Sequence, residues 1–170
     1  SLAFNASAYY YTYDDMQVES RVFDPINGVV GVDTTNAASA EIYGVDLDLT
    51  YVPTALEGLT LFASLNWNKA EYDEFENGLC WGGQRIQDGC DQLYDPRSRL
   101  YKAQDLSGGD LLRAPEWTGN VGIDYERPLA NGMTLALGLS TTYSDDYYTS
   151  ITLRDDNKLI VPLVLVLSFV

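Results

Sequence analysis

The chain has 170 residues, with 10 Lys and Arg against 25 Asp and Glu, no histidine and a formal net charge of −15. That length suits one domain with its own core. The acidic balance excludes a nucleic-acid partner, which needs clustered cations, and the missing histidine removes the commonest general base, the Ser-His triad and most zinc sites. Hydrophobic residues make up 46 %, too many for a disordered acidic tail. No apolar run is long enough for a membrane helix.

The opening Ser1-Leu2-Ala3-Phe4-Asn5 lacks a charged and then apolar leader, so no signal peptide is expected there; a cytosolic protein, a mature chain and an internal fragment all fit. From the start the periodicity is two. Leu2, Phe4, Ala6, Ala8 and Tyr10 alternate with Asn5, Ser7, Tyr9 and Tyr11, as on the two faces of a strand. A long-armed hairpin is expected to turn near Asp24-Pro25-Ile26-Asn27-Gly28. The return strand sets Tyr43, Val45, Leu47, Leu49 and Tyr51 against Gly44, Asp46, Asp48 and Thr50. A short Pro- and Gly-bounded turn at 52–58 leads to Leu59, Leu61, Ala63, Leu65 and Trp67, opposite Thr60, Ser64, Asn66 and Asn68, with Phe62 as the exception on the polar side.

A long polar connection follows over residues 73–114. It holds the two cysteines, Cys80 and Cys90, in a Gly-rich stretch. No further Cys and no His completes a metal set, so neither a metal nor a cofactor is expected. The pair reads as a short disulfide loop of an oxidising compartment, contributing roughly 2–3 kcal/mol; two unrelated reduced thiols are the alternative. Trp117, Val121, Ile123 and Tyr125 then alternate with Thr118, Asn120, Asp124 and Glu126. After a turn at 127–132, which closes on Asn131-Gly132, come Met133, Leu135, Leu137 and Leu139 against Thr134, Gly138, Ser140 and Thr142. The last tip falls at Asp155-Asp156-Asn157. Beyond it, residues 159–170 are apolar at both parities, with Ile160, Val164 and Val166 on the face that is polar elsewhere, and Pro162 favours an edge or a bulge.

Long and short connections alternate, which gathers the short turns at one end of an antiparallel meander. The fold class expected is therefore all-β: about six long strands of an antiparallel transmembrane β-barrel. Aromatic residues stand near both ends of the strands, Tyr51 and Tyr125 before the short turns, and Tyr9 to Tyr13, Trp67, Tyr72, Trp117, Tyr143, Tyr147 and Tyr148 toward the long loops. A soluble β-sandwich also alternates, but its strands run about 5–6 residues, whereas these runs reach the roughly nine or more that a tilted membrane strand needs. Asp46, Asp48, Asp124 and Glu126 would be costly against lipid and suit a wet lumen.

Several stretches now identify a family. Asn36-Ala37-Ala38-Ser39-Ala40-Glu41-Ile42-Tyr43-Gly44-Val45-Asp46-Leu47-Asp48-Leu49 resembles a strand common in TonB-dependent outer-membrane receptors. Ala70-Glu71-Tyr72-Asp73-Glu74-Phe75 is similar to the top of the next strand. Gln104-Asp105-Leu106-Ser107-Gly108, followed by Arg113-Ala114-Pro115-Glu116-Trp117-Thr118-Gly119-Asn120, resembles the re-entry from a long external loop. Tyr11-Thr12-Tyr13-Asp14-Asp15-Met16-Gln17 resembles an ascending strand, and the likeness covers roughly residues 2–158.

The resemblance implies that residues 1–170 are a C-terminal portion of a 22-stranded barrel with a plugged lumen, the plug domain itself being absent from the chain. It places Cys80 and Cys90 where such receptors often carry a loop disulfide. It also implies uptake of a scarce nutrient, a ferric siderophore first, otherwise cobalamin, haem or a saccharide. The energy would come from TonB-ExbB-ExbD acting through the plug, in the outer membrane of a Gram-negative bacterium, among its lipid and lipopolysaccharide. The family usually ends on a terminal aromatic after a strand with a polar inner face, and this chain departs from that with Phe169-Val170.

In the long loop, Trp81, Arg85, Tyr94, Arg97, Arg99 and Tyr101 are the candidate ligand contacts. The arginines suit an anionic chelate or lipopolysaccharide phosphates; plain solvated loop residues are the alternative. Six strands alone leave two bare edges, so the chain is expected to complete a larger barrel, to pair with other chains, or to curl into a small closed barrel. A stand-alone barrel of structural or adhesive role would need two further strands within 73–114. No carboxylate spacing points to an enzyme, and the Asp14-Asp15, Asp145-Asp146 and Asp155-Asp156 runs read as solvated turn charge rather than calcium ligands.

Overall fold

Alternation of period two is satisfied when the backbone is extended and one side chain in two meets a different medium. The computed structural model, which describes residues 1–170 apart from Pro25, Asn131, Pro162 and Val170, realises this along most of the chain. Three long strands come first, β1 (Leu2–Asp24), β2 (Val29–Tyr51) and β3 (Leu59–Glu74). The long connection carries three short ones, β4 (Gly78–Leu79), β5 (Gln92–Asp95) and β6 (Leu100–Gln104). Then follow β7 (Trp117–Pro128), β8 (Thr134–Ser144), β9 (Tyr147–Tyr148), β10 (Lys158–Leu159) and β11 (Val164–Phe169).

One nine-stranded sheet runs β11-β8-β7-β3-β2-β1-β4-β6-β5, and β9 pairs with β10 apart from it. Every pairing is antiparallel, and the long strands succeed one another as a meander. The sheet is an open wall: β11 ends it on one side, and on the other only the outer end of β1 is covered, where Ser20 pairs with Gly78. The loop strands are two to five residues long, too short to cross a membrane, so they do not supply the two extra strands of a small closed barrel. Of the two tight turns, the one at 52–58 lies wholly within the described residues, whereas Asn131 of the Asn-Gly pair and Pro25 of the first hairpin lie outside them.

The register keeps one parity on each face across the wall. Leu49 lies between Phe4 and Ala63, Leu47 between Ala6 and Leu65, and Ile123 between Leu61 and Leu139. This face is apolar and exposed. Near its outer margin Tyr10, Tyr43, Trp67 and Trp117 form a row, with successive ring centroids 6.4, 5.9 and 6.3 Å apart. Tyr51 and Tyr125 mark the other margin, each eight positions along its strand from the row. Eight residues span about 27 Å of strand, roughly the height of an apolar barrel band once tilted.

Not every aromatic read as part of that belt belongs to it. Tyr9, Tyr11 and Tyr13 share the opposite, polar face, because Tyr9 pairs with Gly44 and Tyr13 with Ala40. Tyr72 is buried under the loop. The exceptional Phe62 has a local reason: it pairs with Gly122, and a Cβ on that glycine would overlap the Phe62 ring. The ring covers a backbone that has no side chain of its own.

The final apolar segment is broken rather than continuous. Leu159 pairs with Tyr147 in the loop ladder, and the wall resumes only at Val164. Val164 and Val166 pair with Thr142 and Ser140 and so stand on the polar face. Pro162 and the terminal Val170 lie outside the described residues.

Above a bulge between Tyr13 and Met16, the β1–β2 hairpin continues well beyond the wall. On both sides of this bulge the polar face turns small and apolar, at Val18, Ala38, Ala40 and Ala70, with Tyr72 beside them. The long connection folds inward over this patch. Phe75, Leu106 and Leu111 pack on it and, with part of Ala114, Ile151 and Leu153, close a core. Small strand residues leave the room that Phe75, fully buried, then fills. The main chain of 106–116 replaces β7 beside the top of β3, through Asn68 N–H to Glu116 O at 2.9 Å, Leu111 N–H to Ala70 O at 2.9 Å and Tyr72 N–H to Gly109 O at 2.9 Å. The loops thus form a cap on the polar side of the wall. Phe75→Ala removes the largest side chain of that core and should cost the cap about 3–5 kcal/mol. Amide exchange at Leu106 and Leu111 should accelerate while the wall amides of β2 and β3 stay protected.

Candidate functional site

On the polar face, alternate residues of β1, β2 and β3 meet at hydrogen-bonding distance. The Tyr9 hydroxyl donates to Asn68 Oδ1 at 3.1 Å and accepts from Asn66 Nδ2 at 3.1 Å. Asn66 Nδ2 also donates to Asp46 Oδ1 at 2.6 Å, and Ser7 Oγ donates to Asp46 Oδ2 at 3.5 Å. Asn120 Nδ2 donates to Thr142 Oγ1 at 3.1 Å. Of these, Ser7, Asp46, Asn66, Asn120 and Thr142 border a shallow concavity of about 440 Å³. Asp48, Asp124 and Glu126 share the face, and among the described residues no Lys or Arg of the wall does, since Lys69 and Arg127 fall on the opposite parity. The face is therefore a wet, acidic surface of amides and hydroxyls. Among the described residues no group of three or more acidic, Cys or His side chains could hold a metal ion.

The cap carries the residues singled out from the sequence. Cys80 and Cys90 are bonded, with Cα atoms 5.7 Å apart. The disulfide closes the segment that holds Trp81 and Arg85. Tyr94 and Tyr101 face each other across β5 and β6, edge to face at 5.5 Å, and both are exposed. Arg97 and Arg99 sit in the turn joining those strands, also exposed. One hairpin therefore gathers two tyrosines and two arginines.

Trp81 and Arg85 are placed differently. The Trp81 ring lies 4.9 Å from the guanidinium of Arg154, which comes from the following loop. Arg85 precedes a short 3₁₀ turn, Ile86–Asp88, where its N–H donates to Asp88 Oδ2 at 3.2 Å. Among the described residues Arg85, Arg97 and Arg99 form no ion pair; the basic side chains that do are Lys69, Arg154 and Lys158.

The tip of the hairpin is held by Asp95. Ser98 Oγ donates to its Oδ2 at 2.7 Å and the Arg97 N–H to its Oδ1 at 3.0 Å. The Ser98 hydroxyl first, then the Arg97 and Ser98 main-chain N–H groups, keep the Asp95 carboxyl below the usual carboxylate range. Asp24, at the end of β1, is likewise held low by the Asn27 side-chain amide and by the Ile26 and Asn27 N–H groups, with the Arg97 charge adding to them.

Two residues that sequence reasoning passed over organise the cap. Gln104 is buried and donates to the carbonyls of Leu79 at 2.6 Å and Thr152 at 3.3 Å, while its Oε1 accepts from Gln84 at 2.6 Å. Arg154 supplies the cation over Trp81. Neither carries a local signal, because both act on partners far away in the chain.

An outward apolar band rimmed by aromatics, a polar reverse face and loops gathered at one end are the parts of a membrane barrel wall. The family model described as TonB dependent receptor-like, beta-barrel, matches residues 1–161. The chain belongs to that family. Among curated proteins and among solved structures nothing matches it. TonB-dependent receptors are transporters rather than enzymes. In a receptor barrel wall the apolar, aromatic-rimmed face is the lipid face and the polar face the lumen face. The acidic ladder lines the lumen, and the cap folds inward over it.

The Asp95 turn gives a pH test within this receptor cap. A carboxyl with a lowered pKa stabilises the turn above the ordinary carboxylate value, and that support is lost as pH falls through the lowered one. Ser98→Ala removes the strongest of these hydrogen bonds, so the Asp95 carboxyl should titrate closer to the ordinary value, as read by carboxyl NMR. An unshifted titration would show that the hydroxyl does not hold it.

Proposed function

We propose that this chain supplies wall strands and external loops to a TonB-dependent receptor that carries a scarce nutrient, most simply a ferric siderophore, across the outer membrane of a Gram-negative bacterium. What carries the reading is the two-faced open wall: its lipid face is complete in pattern, yet it ends in unpaired strand edges that hydrocarbon does not tolerate. Residues 1–170 then form a C-terminal part of the barrel, and the remaining strands satisfy those edges. A plug fills the lumen and passes the pull of TonB-ExbB-ExbD. Outer-membrane lipid and lipopolysaccharide surround the wall.

Within this receptor the β5–β6 hairpin is the ligand contact. Arg97 and Arg99 are free of ion pairs among the described residues, and Tyr94 and Tyr101 expose their rings beside them. Guanidinium forks and ring edges suit an anionic chelate with planar parts. Arg85 and Trp81 contribute at the margin of the same cap. No bond is made or broken; capture is followed by displacement of the plug.

Binding of ferric siderophores to the full receptor, compared with cobalamin, haem and saccharides, tests the cargo. Arg97→Ala with Arg99→Ala should weaken binding of the preferred chelate by roughly tenfold or more, if each charged contact is worth about 1 kcal/mol or above. Unchanged affinity removes the hairpin from the site. Binding of another cargo in place of every chelate removes the siderophore.

A further inference from the structure

The outer arm of the β1–β2 hairpin leaves one strand edge bare. β2 has β3 beside it only from Ser39 onward, where Ser39 pairs with Glu74, and residues 29–36 pair with β1 alone. β3 ends at Glu74, and the chain turns inward there to place Phe75 in the cap core. Val32 stands eleven positions beyond Tyr43 of the aromatic row, roughly 35 Å of extended chain, and so lies outside the membrane band. Barrel closure does not cover this edge, because β2 already has both of its wall neighbours, β1 and β3, within the chain.

The partner strand tells which way the backbone groups of this edge point. The Arg21 N–H donates to Asn77 O at 2.8 Å, away from β2. Antiparallel partners turn their groups toward or away from each other together, so Val32, opposite Arg21, turns its N–H and C=O away from β1. Val30 and Thr34, two positions to either side, do the same. The Thr34 N–H is accordingly found on the carboxylate next to it, Asp33 Oδ1, at 2.8 Å. That carboxylate is the only guard in the stretch Val29-Val30-Gly31-Val32-Asp33-Thr34, which has none of the Lys or Pro that blunt exposed edges elsewhere. Phe23 and Val32, on the outer face of the arm, are 46 and 49 % exposed.

At its membrane end the edge runs into a concavity of about 450 Å³, bordered by Asn36 and by Asp14, Asp15, Asp73 and Glu74. None of these four carboxylates is in an ion pair among the described residues. A backbone laid along Val30–Thr34 and continued toward the membrane meets four negative charges.

We propose that the bare edge of β2, residues 29–36, is a strand-addition site for a peptide segment of an extracellular partner. The segment is extended, β-branched or apolar along the edge, and carries Lys or Arg at the end that reaches the carboxylates. Main-chain hydrogen bonds to Val30 and Val32 hold it, and the charge fixes its direction: antiparallel to β2, with the basic end first. A second copy of the chain suits the edge less, since its net charge of −15 brings like charge to the same concavity. The site lies apart from the β5–β6 hairpin and needs no nutrient to be bound.

The probe is a synthetic peptide of about ten residues, alternating threonine and valine after two N-terminal lysines, added to the full receptor in detergent. It should slow amide exchange at Val30 and Val32 roughly tenfold or more. Val32→Pro deletes an edge N–H that the hairpin does not use, and it should weaken binding roughly tenfold or more while the Gly31 amide, which faces β1, keeps its protection. N-methylating the peptide backbone makes the same test from the other side, whatever the proline does to the hairpin. Exchanging the two lysines for glutamates should also weaken binding roughly tenfold or more. Undiminished binding of the N-methylated peptide would overturn the proposal, since no strand would then be added. Undiminished binding of the glutamate peptide would overturn it too, because the carboxylates would select nothing. Exchange at Val30 and Val32 that does not slow at millimolar peptide sinks it outright. Protection there that rises with receptor concentration, in the absence of peptide, would replace the peptide with a second copy and overturn it as well.

Discussion

Antiparallel pairing on a single parity is the constraint from which the rest of this wall follows. A shift of one residue in any strand would send its leucines into the lumen and its aspartates into lipid. Below the bulges at Tyr13–Met16 and Ser39–Ala40, the register across β1, β2, β3, β7 and β8 avoids this, so backbone pairing alone sets the whole lipid face. The aromatic row and the acidic ladder are two readings of the same ladder, one from each side. The wall then has no core of its own in the soluble sense. The buried apolar cluster is in the cap, where the strands rise clear of the membrane.

Much of the wall was legible in the sequence, because period two is a local property and turns punctuate it. The segments around Tyr43–Tyr51, Leu59–Trp67 and Trp117–Tyr125 were readable residue by residue. What escaped was the change of rule around the bulge. Ala38, Ala40 and Ala70 occupy lumen positions yet are neither polar nor large. Only the inward fold of the long loop, with Phe75 coming down on them, explains their size. Tyr72 was misplaced in the belt for the same reason: parity assigns a face but does not tell where the membrane ends.

The candidate site was legible in part. Tyr94, Arg97, Arg99 and Tyr101 lie close in the sequence, and a hairpin keeps them together. Trp81 was picked as a ligand contact, and its ring is covered by an arginine more than seventy positions away. Gln104 looked like one polar residue among many and is a buried junction of three segments. The apolar lumen side of β11, Val164 and Val166, has no explanation in the described residues.

The small pairing of Ser20 with Gly78 has a consequence for how a barrel could be completed. The free edge of β1 is available from Leu2 upward but is already taken at Ser20 by β4, and just beyond it the Arg21 N–H is spent on Asn77 O. A strand joining that edge can zip only along the membrane stretch and must turn away before the hairpin's outer arm. The loop thus acts as an end stop. It sets the length of the incoming strand and makes the short-turn end the place from which closure can run unopposed.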